Sequence, residues 1–358
     1  MHFQQVAPIG EYSIRRSLKN KKITLPKLKR LLQQQLAVER VDSMTYAMMG
    51  ESARATSKLQ ISDIYCDEII WNEKGRQVIF IQEPEFIHTI LNSKFQSESI
   101  KNLKPISESF VLALPKEATN PEGYEIRNAL VTWHPNNGEF LKRNQHVINE
   151  ALRSAGEDEL PELPEVPDGF GEDQRDDALL QVMGCPEGMT IEEAYNQSVI
   201  QIVTSNSEGV LTKCIYEHDF KKVLDGDCSF SDLGSITIQT VFKLILGLAI
   251  YAAAGGNIEK GIPQISADKK RKTIFEVVGY ETKVIVVNAS KALKDENVHT
   301  FGHMRGFHFR NLVHPRYYQN EYANYPPKSR WCFVSAYWVG EKIGANTATD
   351  AEVGLSEA

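Results

Sequence analysis

The 358-residue chain lacks the patterns that usually announce chemistry or covalent scaffolding. Its five cysteines, Cys66, Cys185, Cys214, Cys228 and Cys332, are odd in number, scattered and never in a C-x-x-C pair, which argues against a disulfide framework and a zinc ribbon. They read as reduced thiols. There is no G-x-S-x-G elbow, H-E-x-x-H pair, P-loop or G-x-G-x-x-G turn, and no internal repeat. The N-terminus "MHFQQVAPIGEYSIRR" has no apolar run after its charges, so export is not expected and a cytoplasmic location is the default. One segment is apolar enough for a membrane question, "SITIQTVFKLILGLAIYAAA" at 235–254. Gln239 and Lys243 in its first half favour a buried core helix over a span, and the glycine pair Gly255 and Gly256 reads as its stop.

What is present begins with hydrophobic content of 42%, ample for a sizeable core. The net charge of -7 averages over three unlike regions. Between Glu11 and Glu39 there are eight Lys/Arg and no acid, whereas Glu157 to Asp177 holds ten acids against Arg175 and is broken by Pro161, Pro164 and Pro167. The first is a basic opening and the second a solvated acidic loop, 156–177. From His299 to Trp331 there are five Lys/Arg and only Glu321 in opposition.

Leu25, Leu28, Leu31, Leu32, Leu36 and Val38 recur near helical spacing, which predicts an amphipathic helix over 25–49. Its lysines fall on the solvent face, or on a contact with nucleic acid or the ribosome. Short β-like runs follow at 77–81, 109–115, 127–133, 198–205 and 209–216, and then the long apolar helix. Strands this short beside one buried helix give an α+β domain over 1–262. The lysine-rich connector "GIPQISADKKRK" (261–272) marks a change of character. Beyond it the pattern predicts a small β-rich domain over 268–344 and a disordered tail at 345–358.

The segment 299–318, "HTFGHMRGFHFRNLVHPRYY", gathers four of the nine histidines, three arginines and two tyrosines without a carboxylate. If 303–312 is one strand, alternation sets His303, Arg305, Phe307, Phe309 and Asn311 on one face and Met304, Gly306, His308, Arg310 and Leu312 on the other. Arginine and lysine suit phosphates and aromatic rings suit bases, so Arg310, Arg316, Tyr317, Lys328, Arg330 and Trp331 are candidate contacts for single-stranded nucleic acid. Histidine exchanges protons near neutral pH, which makes His303, Arg305 and His308 candidates for metal-free RNA cleavage. Half-exposed spacer histidines beside a Phe/Trp core, and a metal site, stay open as alternatives. No metal or cofactor is expected, because transition-metal ligand sets usually mix histidine with thiols or carboxylates. Glu281-Thr282-Lys283 has the E-x-K form of metal-dependent nucleases, but "GYET" reads more readily as a hairpin turn.

His303, Arg305, His308 and Phe309, followed by Arg330-Trp331, resemble the C-terminal end of the type V-A anti-CRISPR proteins that deplete the mRNA of their Cas effector, and of related phage and plasmid proteins. The R-G-H-W core common there is altered: Gly306 stands two residues before His308, and Phe309 replaces the tryptophan. The resemblance implies an inhibitor that recognises a nascent Cas effector polypeptide, a basic peptide drawn to the acidic body, and that acts on the mRNA or the translating ribosome with no membrane partner. It leaves two other functions standing: a nucleic-acid-binding regulator without catalysis, and a metal-dependent nuclease.

Overall fold

The computed structural model describes residues 8–18, 23–81, 83–93, 95, 103–115, 118–119, 128–160, 185–206, 209–220, 236–254, 258–260, 283–287, 300–305, 308–334 and 337–342. Its centre is a seven-stranded mixed sheet. The strands are β1 (Gln77–Ile81), β2 (Ser109–Ala113), β3 (Ala129–His134), β4 (Val199–Asn206), β5 (Gly209–Tyr216), β6 (Ile258–Lys260) and β7 (Lys283–Val287), in the order β5-β4-β3-β2-β1-β7-β6. β1 runs parallel to both β2 and β7, and the other pairs are antiparallel. Every residue of β1 and β2 is buried. Strands covered on both faces need no polar alternation, which is why "QVIFI" and "SFVLA" read as short apolar runs.

The two faces carry different helices. Ile79, Ile81, Phe110, Leu112, Val131, Ile200 and Ile202 face one core together with α4 (Pro84–Asn92) and α7 (Ile236–Ala253). The long apolar segment is therefore a helix that ends at Ala253, and most of it is buried within this chain. Its one lysine, Lys243, donates to the Leu91 carbonyl in the last turn of α4, where carbonyls lack an intrahelical partner and the helix end favours a cation. Close approach of the two helices depends on Gly247, where a methyl group would run into Ile90 Cγ2.

The opposite face of the sheet, with Val78, Phe80, Val111, Leu130 and Val203, packs on Ile64 and Trp71 of α3 (Ser52–Glu73). α3 and α2 (Leu25–Met48) form a long helical hairpin turned at Gly50, whose φ is +77°. The predicted helix over 25–49 is α2, and Leu28, Leu32 and Leu36 are its buried stripe. They meet Val147, Ile148, Ala151 and Leu152 of α5 (Asn137–Ala155) in a further cluster. α5 begins at a capping bond from Glu139 N–H to Asn136 Oδ1 (2.9 Å) and stops at Gly156 in the left-handed region. Two shorter helices are α1 (Ile9–Ser17) and α6 (Ile191–Asn196), the latter opened by a Thr190/Glu193 capping box.

The α+β class read from the sequence is the class of the structure. The acidic loop is described only to Leu160, where Glu157, Asp158 and Glu159 are exposed, and the expected tail lies outside the described residues. The boundary expected at 262–268 also falls outside them. Beyond it, β7 belongs to the same sheet as β1, and Val287 is buried in the α7-side core.

Candidate nucleic-acid interface

The last part of the chain forms two antiparallel ladders. β8 (Thr300–Arg305) pairs with β11 (Tyr337–Lys342), and β9 (His308–Asn311) pairs with β10 (Trp331–Val334). Arg305 stands opposite Tyr337 and His308 opposite Val334, so two residues intervene on each side. Gly306 and Phe307, which join the two ladders, lie outside the described residues. His303 and Arg305 lie in β8, opposite Val339 and Tyr337. The other candidates lie in β9, in β10 or in the loop that joins them.

Alternation sorts β9 into two faces. Phe309 and Asn311 are half-buried, and His308 and Arg310 are exposed side by side on the outer face. The inner face is aromatic. Phe309 meets Phe95 and Phe333 edge-on at 5.4 Å, Trp331 meets Phe95 at 5.7 Å, and Phe333 meets Tyr251 of α7 at 4.7 Å and Phe86 of α4 at 5.8 Å. Edge-to-face contacts of this kind add to area burial and fix orientation. Trp331 is thereby part of the anchor that turns His308 and Arg310 outward.

The loop between β9 and β10 is tied by its own polar groups. His314 Nδ1 accepts from the Arg316 N–H (3.2 Å) and caps the 3-10 turn Pro315–Tyr317. Arg316 donates to the Tyr317 hydroxyl at 2.7 Å and lies over the same ring. Arg330 is the keystone: its guanidinium sits 3.3 Å from the centre of the Tyr322 ring and donates to the Tyr317 carbonyl, while its N–H donates to the Tyr318 hydroxyl (3.2 Å). Its cation is spent within the loop. Arg316 and Lys328 remain exposed, Lys328 with a left-handed φ of +66°. Beside Arg310 stands Cys332, whose thiol is pushed up by burial against the opposing pull of Arg310 and Arg330.

Of the nine sequence-named residues, the structure brings His308, Arg310, Arg316, Tyr317 and Lys328 into one hairpin and its loop, and places Arg330 and Trp331 beneath them as supports. Of the E-x-K tripeptide only Lys283, the first residue of β7, is described. Among the described residues no three His, Cys, Asp or Glu side chains stand where they could share a metal ion.

Sequence reasoning missed a second concentration of charge, on α3. Glu68 is fully buried and accepts the N–H groups of Gly10 (2.5 Å) and Glu11 (2.8 Å), so it caps α1 from a distant helix. Burial pushes its carboxyl up to about 8, against the pull of those two donors. Glu11 is buried too, bridged to Arg76 Nη2 at 2.9 Å and to Arg15 Nε at 2.7 Å. Asp67 is buried without a hydrogen bond to either oxygen, and burial holds its carboxyl well above the aspartate range. The Thr132 hydroxyl is near enough to oppose that shift, yet the pair does not close a regular hydrogen bond. Asp63, one turn earlier, is raised to about 6 by burial despite Arg40 at 3.9 Å. The signal was the string Asp63, Asp67, Glu68 at helical spacing.

No family model matches the chain, and no curated protein matches its sequence. Among solved structures, the crystal structure of AcrVA2 is similar with a TM-score of 0.45 and 12% identity, over 92% of this chain and 97% of that one. A likeness of that degree leaves function to be argued from the residues of this chain.

Proposed function

We propose that this chain is an anti-CRISPR-like inhibitor carried by a mobile element. In this reading it contacts single-stranded RNA through the outer face of β9 and the adjoining loop, engages the nascent polypeptide of a Cas effector, and brings about loss of that effector's message. The observation that carries the RNA contact is the outward pair His308 and Arg310 on a strand whose inner face is locked into an aromatic core. A rigid support holds a cation and an imidazole in one plane of approach, and Arg316 and Lys328 extend the positive surface along a phosphate backbone. The inhibitor reading is supported by the resemblance carried by His303, Arg305, His308, Phe309 and Arg330-Trp331.

Binding of labelled single-stranded RNA, with and without chelator, tests the surface directly. Retardation that weakens steeply with salt is expected, and Arg310→Ala combined with Arg316→Ala should lower affinity by about tenfold. RNA recovered at full length assigns message loss to a recruited nuclease, whereas chelator-resistant cleavage abolished by His308→Ala assigns it to this chain. In cells, co-expression should deplete a Cas effector message. An undiminished message with the unaltered protein overturns the reading.

A further inference from the structure

The described residues leave β5 at the end of the seven-stranded sheet with β4 as its one neighbour. The pairing is regular over eight rungs, from Val199 opposite Tyr216 to Asn206 opposite Gly209. One rung further, the Glu217 N–H donates to the Ser198 carbonyl at 2.9 Å, which marks that pair as a hydrogen-bonded one, while the Ser198 N–H donates to Glu217 Oε2 at 3.1 Å. Such rungs alternate in an antiparallel ladder. Residues 209, 211, 213 and 215 therefore bond to β4, and Val210, Thr212, Cys214 and Tyr216 turn their N–H and C=O groups toward the open edge.

The side chains of those same four residues stand on the α3 side of the sheet, where α3 no longer covers them. Val210 is 45% exposed and Thr212, Cys214 and Tyr216 are partly so, whereas Gln201 and Val203, their neighbours on β4, are buried. Natural sheets blunt an open edge with proline, a bulge or a charge on the covered face. β5 has no proline and no break in register, and its one lysine, Lys213, alternates to the opposite face.

Charge indicates what the edge receives. Asp63, whose side chain is 39% exposed, supplies the charge, and Asp67 is buried beside Thr132 of β3, whose register runs through Gln201 to Cys214 on this same face. Asp67 has no hydrogen-bond partner on either oxygen. We propose that the outer edge of β5 takes up an extended, basic stretch of polypeptide as an eighth strand, bonded to the backbone of Val210, Thr212, Cys214 and Tyr216, with a lysine or arginine side chain on the Asp63/Asp67 side. Strand addition draws its affinity from main-chain bonds and its selectivity from alternate side chains. The inference names a seat for the polypeptide partner and rests on the reading above only for where that polypeptide comes from.

The test uses the full chain and three decapeptides: alternating threonine and lysine, alternating threonine and glutamate, and the lysine peptide N-methylated at every second residue. The lysine peptide is expected to bind and to shift the amide resonances of 210, 212, 214 and 216 more than those of 209, 211, 213 and 215. Both control peptides should bind at least about tenfold more weakly, one for lost charge complementarity and one for lost main-chain bonds. Thr212→Pro removes an outward N–H while sparing the β4 ladder, and should weaken binding at an unchanged Tm; Asp63→Asn with Asp67→Asn should narrow the gap between lysine and glutamate peptides. Equal binding of the N-methylated peptide, absence of binding, or a dimer in sedimentation that Thr212→Pro dissolves would each overturn the proposal. Peptide binding that survives His308→Ala while RNA binding is lost separates this edge from the hairpin surface. Loss of RNA binding by the unaltered chain with peptide binding kept sinks the functional reading and leaves the edge standing.

Discussion

Glu11, Asp67, Glu68 and Arg76 are buried ionisable groups, and each is held differently. Arg76 is bridged to Glu11, donates to Asn72 and lies 4.4 Å from the centre of the Trp71 ring. Its backbone has a left-handed φ of +56°, just past the helix end. Removing one member of a buried pair strands the other, which costs more than the pair contributes. Arg76→Ala is therefore expected to destabilise the chain by about 3 kcal/mol in urea denaturation, and Arg15 beside Glu11 tempers the loss. Asp63 and Asp67 act on stability through pH. Their folded pKa values lie above the ordinary 3.8, so the native state holds protons that the unfolded state has released, and stability falls as pH rises from about 4 through about 6, where Asp63 titrates, and beyond for Asp67. The urea midpoint of Asp67→Asn should vary less between pH 4 and pH 8 than that of the unaltered chain. A midpoint that rises with pH over that range would show that other groups dominate.

At the scale of elements, two contacts decide whether the candidate surface is presented at all. The β9/β10 hairpin leans on α4 and α7 through Phe309, Trp331 and Phe333. Trp331→Ala should destabilise by about 3 kcal/mol and lose RNA binding through misplacement, whereas Arg310→Ala should lose binding at an unchanged Tm. Comparing the two variants in thermal unfolding separates support from contact. Below the hairpin, Gly247 lets α7 touch α4 at Ile90. Gly247→Ala overpacks that crossing and should cost about 1–3 kcal/mol, most of it recovered when Ile90→Ala is added. The strands and α7 were legible because apolar runs on a doubly covered sheet and an all-apolar helix carry their burial in composition. α3 was not. Its buried face includes Ser62, Cys66, Asp67 and Glu68, so its hydrophobic period is broken by the polar residues that the fold buries.

The whole molecule is organised by one sheet that reaches from the first strand to a strand near residue 285. β7 bonds to β1 over five rungs, Gln77 opposite Lys283 to Ile81 opposite Val287. A chain cut after residue 262 would lose that strand and leave the buried β1 with an open edge. Such a chain is expected to lose the sharp, single unfolding transition of the full-length protein, as read by circular dichroism. A truncated chain that unfolds as cooperatively as the intact one would favour a domain boundary at 262–268. The acidic loop from Glu157 makes a different whole-molecule prediction: neutralising Glu157, Asp158 and Glu159 should leave the Tm almost unchanged, since exposed like charges contribute little to a core.

The sequence by itself determined the α+β class, the amphipathic α2, the apolar α7 and the cationic, aromatic character of 299–318, because each is a local property of side-chain period or composition. It also named His308 and Arg310 together, since period-2 alternation needs no tertiary partner. Only the tertiary structure decided that Arg330 and Trp331 are supports, that α3 buries the carboxylates of Asp67 and Glu68, that β7 joins β1 and that β5 ends the sheet among the described residues. Those are outcomes of which segments meet. Pairing between strands far apart in sequence is chosen by the total burial of two faces and the closing of main-chain hydrogen bonds, and neither quantity is written in any one stretch of the chain.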